Sequence, residues 1–318
     1  MLGRSRFARM EKQLATIQEQ ELAAPLTQGA KLAKTRSPDQ HNAFARAREF
    51  LGNRFVYAVI SQRAHGLSIG INFNPDKRCN FDCAYCEVNR DIAGRDTLVD
   101  LDVLAQELDE LLTLTFADRL RELPYFTTVP RELLALKEVA LSGDGEPTLS
   151  PQFSQILSET VHIRSLGKFP FFKMVLITNA SGLDLPDVRK GLLLMTSRDQ
   201  IWVKLDAGTQ EYMNAVNRTA VSLEKVLANI LLIGRERSIV IQSLFAMFNG
   251  KEPPVEEIEL YVQHLLRLKE QGAQISLVQV YSAHRAPHRP ECAHLPLRSL
   301  SRIAHRVREV TGLAAEVF

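Results

Sequence analysis

The sequence predicts an α/β fold built on parallel strands, and three observations carry that prediction. After the cysteine run at 79–86, six strand-like segments alternate with helix-like ones, the order that right-handed strand–helix–strand crossovers produce. Several of those strands, such as Val-Leu-Ile at 175–177 and Ile-Val-Ile at 239–241, are apolar at consecutive positions, as strands covered on both faces are. Polar residues and glycines collect just past the strand ends, the edge on which α/β folds carry their chemistry. Alternation alone fits a barrel and a doubly wound sheet equally well.

Residues 1–50 are polar and helix-prone, with Leu14, Ile17 and Leu22 too sparse to promise a packed helix. Residues 1–10 carry Arg4, Arg6 and Arg9 and no acid but Glu11 just beyond, and no apolar signal core follows them, so a solvated basic tail is expected. Pro25 and residues 31–38 read as linker, and 42–51 as a short helix. Residues 54–60 and 67–73 are rich in Val, Ile, Tyr and Phe and read as strands. The expected organisation is therefore an arm with a leading strand over 1–66 and one α/β domain over 67–318.

Within that domain, residues 100–117 form the strongest amphipathic helix: Leu101, Leu104, Leu108, Leu111 and Leu112 share one face, and Asp100 or Asp102 can cap it. Strands are expected at 138–141, 173–177, 201–205, 239–245, 274–281 and 314–318. Helices are expected at 153–166, 186–195, 210–217, 222–235, 255–270 and 297–310.

The most informative stretch is Cys79-Asn80-Phe81-Asp82-Cys83-Ala84-Tyr85-Cys86, directly after a strand. A [4Fe–4S] cluster is usually held by four thiolates. Three close cysteines hold three irons and leave the fourth open to a small molecule. Zinc asks for four ligands, or three with His or carboxylate help, and no His lies near this run. The only other cysteine is Cys292, so no disulfide framework is expected and the usage suits a reducing, cytoplasmic setting.

This spacing, with its internal aromatic, resembles the radical AdoMet (radical SAM) superfamily. The resemblance implies a partial (β/α)6 TIM-like barrel, a [4Fe–4S] cluster on Cys79, Cys83 and Cys86, and S-adenosylmethionine (AdoMet) on the open iron. It also implies reductive cleavage of AdoMet to a 5′-deoxyadenosyl radical that abstracts hydrogen from a substrate, with electrons from a flavodoxin or ferredoxin. Gly143-Asp144-Gly145-Glu146-Pro147 is similar to the family's Gly-Gly-Glu-Pro element, which meets the methionine amino group; Gly145, Glu146 and Pro147 line up, with Asp144 as an extra residue in the turn, and Gly143, Gly145 and Glu146 are the cofactor-binding candidates. Thr178-Asn179 resembles the family's Thr-Asn element, making Asn179 a candidate for the ribose or the methionine carboxylate. Lys204 and Asp206 end the next strand, where a point charge suits a carboxylate and an acceptor suits ribose hydroxyls. Tyr85 stands where the family's aromatic packs near adenine, and Gln279 and Tyr281 fall at the adenine edge.

Ser-Gly-Asp-Gly-Glu-Pro-Thr-Leu, the Leu-Asp-Ala strand end, Asn217-Arg218 and residues 278–287 are together similar to the wyosine-synthase-like group. Its best-characterised members build a tRNA base from pyruvate with a second cluster. That cluster needs three further cysteines, and Cys292 alone remains. Two other readings stay open: an RNA-modifying radical enzyme, and a non-catalytic Fe–S or zinc-binding protein.

The net charge of +2 gives the whole chain no nucleic-acid footprint, although Arg298, Arg302 and Arg306 form a basic band. No apolar run is long enough to cross a bilayer. His284, His288, Cys292 and His294 lie in one short stretch, which reads as a polar lid over the strand ends, with metal binding and a thiol role for Cys292 as alternatives.

Overall fold

The computed structural model describes residues 43–283, Arg285 and 289–318. Most of the expected arm, together with His284 and His288 of the lid, lies outside the described residues.

The chain opens with a 3-10 turn at Ala43–Ala45, then strands β1 (Val56–Ser61) and β2 (Gly66–Asn72). These pair antiparallel from Val56↔Ile71 to Ser61↔Gly66. The leading strand was expected to start two residues earlier. It does not, because the buried carboxylate of Glu107 takes the amides of Arg54 (2.8 Å), Phe55 (2.9 Å) and Val56 (3.2 Å), so a side chain rather than a neighbouring strand satisfies them. The cysteine run follows β2. Helix α1 (Leu101–Phe116) comes next, its first turn capped by the Asp100 side chain accepting from the Val103 amide.

From there the alternation is as expected: β3 (Leu136–Ser142), α2 (Phe153–Ser165), β4 (Met174–Thr178), α3 (Pro186–Leu192), β5 (Gln200–Lys204), α4 (Gln210–Val216), α5 (Leu223–Glu236) and β6 (Ile239–Leu244). The chain ends with β7 (Ala246–Phe248), α6 (Val255–Glu270), β8 (Ile275–Tyr281), β9 (Cys292–His294), α7 (Leu297–Thr311) and β10 (Ala315–Val317). Helix α3 stops at Leu192, three residues short of expectation, because Leu194 and Met195 close tight turns onto the carbonyls of Gly191 and Leu192.

One eight-stranded sheet runs β1-β2-β3-β4-β5-β6-β8-β10. Every pair after β1–β2 is parallel. This is the TIM-like partial barrel of six strand–helix units (β2, β3, β4, β5, β6 and β8), with an antiparallel strand added at one edge and a short parallel one at the other. The ribbon β7–β9, antiparallel from Ala246↔His294 to Phe248↔Cys292, has no sequence signal: three residues are too few for a period of two.

Alternate strand residues face opposite ways. Ile69, Ile71, Val139, Leu141, Met174, Leu176, Ile201, Val203, Ile241, Val278 and Val280 join the helices in the main core. On the inner face, Val175, Trp202 and Val240, with Ile177 and Leu277, form a separate apolar patch. Closer to the strand ends that face turns polar, with Ser142, Lys204, Gln242 and Gln279. Among the described residues no helix is long and apolar enough to cross a membrane.

Candidate functional site

The cysteine run lies at the C-terminal edge of the sheet and is tied there from several sides. The amides of Asp82 and Ala84 donate to the carbonyls of Asn217 (3.0 Å) and Val216 (2.8 Å) at the end of α4. Thr219 Oγ1 donates to the Asn80 carbonyl at 2.8 Å. The Asn80 side chain meets Ser181 Oγ (2.9 Å) and the Asn179 amide (2.9 Å) beyond β4. Such cross-ties hold the sulfurs on strand ends rather than on a free loop.

Each of the three sulfurs receives one N–H donor. The Phe81 amide donates to Cys79 Sγ at 3.4 Å, Asn217 Nδ2 to Cys83 Sγ at 3.4 Å, and Arg90 Nη1 to Cys86 Sγ at 3.1 Å. Burial, reinforced by Glu146, pushes the Cys79 thiol up to about 12, and burial pushes Cys83 up to about 11. Thiolates here therefore need a strongly cationic centre beside them. Among the described residues, no three His, Cys, Asp or Glu side chains converge on a single-ion site. Three thiols on one loop, each supplied with an N–H donor, fit an iron–sulfur cluster.

The Gly143–Thr148 turn packs against this loop. Gly143 sits at φ 144°, open to glycine alone, and a Cβ at Gly145 would run into the Arg78 carbonyl. Between them Asp144 is turned away: its carboxylate takes Arg48 at 2.7 Å and Asn72 Nδ2 at 2.9 Å. Glu146, 3% exposed, accepts from the Thr148 amide (3.1 Å) and hydroxyl (2.7 Å), from the Thr178 hydroxyl, and from the Asn179 amide at 2.7 Å. All four donors are neutral, and among the described residues no cation lies within ion-pair distance of it. Burial holds its carboxyl above the usual range, only partly offset by those hydrogen bonds.

On the far side of the loop, Tyr85 and Asn217 are buried around Asp206. Tyr85 donates its hydroxyl to Asp206, Asn217 Nδ2 donates to both Tyr85 Oη (2.9 Å) and Asp206 (3.2 Å), and the Leu244 amide donates to Asp206 at 2.8 Å. Lys204 Nζ stands 3.3 Å from Asp206 and donates to Tyr281 Oη at 3.0 Å. Burial alone would lower the Lys204 pKa, but Asp206 and Tyr281 hold it above its ordinary value. Asp206 thus braces the cysteine loop against β5 and β6. Gln279 is spent on Gln242, whose amide donates to it at 3.1 Å.

The structure brings Cys79, Cys83, Cys86, Tyr85, Gly143, Gly145, Glu146, Asn179, Lys204 and Asp206 to one edge. Sequence reasoning missed Arg90 and Arg48 and gave Asn217 no task. Arg90 had the one available signal, a cation four residues past the last cysteine. The basic band on α7 is largely neutralised: Arg302 pairs with Glu252 at 2.9 Å and Arg306 with Glu259 at 2.7 Å. Cys292 is buried with Ala84, Tyr85, Leu244 and Tyr281, where burial pushes its thiol up to about 11.

Comparison with known proteins bears on the family and the fold. The family model described as Radical SAM superfamily matches residues 73–265, more than half of the chain. A UPF0026 protein of Synechocystis sp. is 29% identical over 184 residues, 57% of this chain and 60% of that protein; the chain thus spans less than two thirds of that relative's length. A UPF0026 protein of Helicobacter pylori is 22% identical over 264 residues, 77% of each. Among solved structures, TYW1 with a lysine-pyruvate adduct bound superposes with a TM-score of 0.50 at 15% identity, covering 80% of this chain and 84% of that one, which shows a shared fold.

Proposed function

The chain belongs to the radical SAM superfamily, and on that premise we propose that this radical SAM enzyme holds a [4Fe–4S] cluster on Cys79, Cys83 and Cys86 and binds AdoMet against the ends of β3, β4 and β5. When bound, cluster and AdoMet supply a one-electron reductive cleavage to methionine and a 5′-deoxyadenosyl radical, which takes a hydrogen atom from the substrate. The protein binds, orients and keeps water out. Gly143 and Gly145 leave backbone room beside the cysteine loop. Glu146 offers a buried, uncompensated carboxylate to the methionine ammonium. Asn179 and Lys204 stand toward the carboxylate and ribose, and Tyr85, braced by Asp206, walls the pocket. A flavodoxin- or ferredoxin-type protein is the proposed electron donor.

One observation carries this reading: three half-buried thiols, each given an N–H donor, lie beside a buried carboxylate that no cation of the described chain neutralises. The test is anaerobic reconstitution with iron and sulfide, then dithionite and AdoMet, with 5′-deoxyadenosine and methionine read by mass spectrometry. Both products are expected from wild type and neither from Cys83→Ser. A loaded cluster that yields no 5′-deoxyadenosine would refute the proposal.

A further inference from the structure

The three sulfur donors differ in kind. Cys79 receives a backbone amide and Cys83 a neutral side-chain amide, both at 3.4 Å, whereas Cys86 receives the guanidinium of Arg90 at 3.1 Å. A charged donor at shorter range is the stronger one. Arg90 is also placed rather than drifting. Its Nη2 reaches the Asp144 carbonyl at 3.4 Å, and its Nε is buried without a hydrogen-bond partner.

The charge of Arg90 is not spent elsewhere. The nearest acidic side chain on the turn it touches, Asp144, is already paired with Arg48 at 2.7 Å. Among the described residues Arg90 makes no ion pair with a carboxylate. Burial works against its charge, and the three cysteines, Cys86 first, work for it. A half-buried guanidinium with no carboxylate partner, set against a sulfur, is what a negatively charged cluster would stabilise and be stabilised by.

We infer that Arg90 is a positioning residue that raises the reduction potential of the cluster and so makes it reducible by the electron donor. The inference rests on the cluster assignment above. The step concerned is the transfer of one electron from an external one-electron donor onto the cluster. No bond forms or breaks at Arg90, and its protons stay in place. Reduction adds one negative charge to the cluster. A fixed cation at a half-buried ligand sulfur favours the more negative state over the oxidised one. The two neutral donors act in the same direction more weakly, so Cys86 is the sulfur through which the chain chiefly sets the potential. The backbone link to Asp144 also joins this cation to the glycine turn of the proposed AdoMet site. A shift of that turn on ligand binding would thereby be felt at Cys86.

The test is a redox titration of the reconstituted full-length protein followed by electron paramagnetic resonance, comparing wild type, Arg90→Gln and Arg90→Lys, each with iron and sulfide counted first. Arg90→Gln is expected to lower the reduced-to-oxidised ratio at fixed potential about tenfold, equivalent to about 59 mV for a one-electron couple. Arg90→Lys, which keeps the charge but not the fork, is expected to fall between. An Arg90→Gln protein with full iron content and the wild-type midpoint overturns the inference. If Arg90→Gln loads no cluster, the neutral Arg90→Met decides: a midpoint below wild type supports it and an unchanged one overturns it. A wild-type protein that takes up no iron and sulfide would fail at the counting step, which overturns the cluster assignment itself and is distinguishable from failure of Arg90 alone.

Discussion

Two carboxylates, Asp199 and Glu146, are equally buried at opposite ends of this sheet, each 3% exposed, and their partners could hardly differ more. Asp199 precedes β5 at the N-terminal edge. It takes the Arg164 fork at 2.7 and 3.2 Å, the amides of Met174 and Thr196 at 2.8 Å each, and the Thr196 hydroxyl at 3.0 Å. Burial would raise its pKa, but Arg164 and the amides hold it below the usual range. Glu146 follows β3 at the C-terminal edge, has only neutral donors, and is held above that range by burial. A buried charge with its counter-ion built in locks a fold, whereas one without it waits for a cation from outside. On the proposed function, the closed end serves stability and the open end serves binding.

That contrast breaks if the two acids respond alike to losing their charge. The largest expected effect is at the closed end. Asp199→Asn leaves the Arg164 guanidinium buried without its partner and is expected to cost about 3–5 kcal/mol of stability, read by chemical denaturation, while AdoMet affinity is unchanged. The pH dependence follows with opposite signs. The Asp199 contribution to stability is present above its unfolded pKa of about 3.9 and is lost as pH falls through its lower folded value. Ionised Glu146 disappears at higher pH, through its raised folded value, so AdoMet binding should weaken on acidification before stability does. Parallel measurements of Kd and melting temperature from pH 4 to 8 check this; a simultaneous loss would contradict it.

Much of this organisation was legible in the sequence. Alternating strands and helices, apolar on the faces that pack, determine the parallel sheet, and the cysteine run with the Gly-Asp-Gly-Glu-Pro turn marks its working edge through local spacing. What escaped is made by contact between distant segments. Glu107 trims β1 from a helix about fifty positions away, Arg48 reaches Asp144 across ninety-six, and Asn217 finds Cys83 across 134. No periodicity records such pairings. The ribbon β7–β9 was missed for another reason, its shortness.

A finer comparison concerns the neutral donors themselves. Thr178→Val removes one hydroxyl donor from Glu146 and the acceptor of the Ala180 amide, and should cost about 2 kcal/mol, the net worth of two neutral hydrogen bonds. The change should appear in folding stability by thermal denaturation, with AdoMet affinity altered only a few-fold, because the carboxylate charge remains. A loss of AdoMet binding as large as that from neutralising Glu146 would mean that the hydroxyl, rather than the charge, carries the site.

The most direct test of the account is the AdoMet dissociation constant of the reconstituted Glu146→Gln protein beside wild type, measured at pH 7.5 by equilibrium binding. With the carboxylate replaced by an amide of the same shape, affinity should fall about 10- to 100-fold, as loss of a charge-assisted bond of about 1.5–3 kcal/mol requires. Melting temperature should fall less than in Asp199→Asn, since the amide leaves one buried donor without its acceptor but strands no buried counter-ion. An unchanged dissociation constant, or a collapse in stability like that of Asp199→Asn, would show that Glu146 is a structural acid like its counterpart at the closed end.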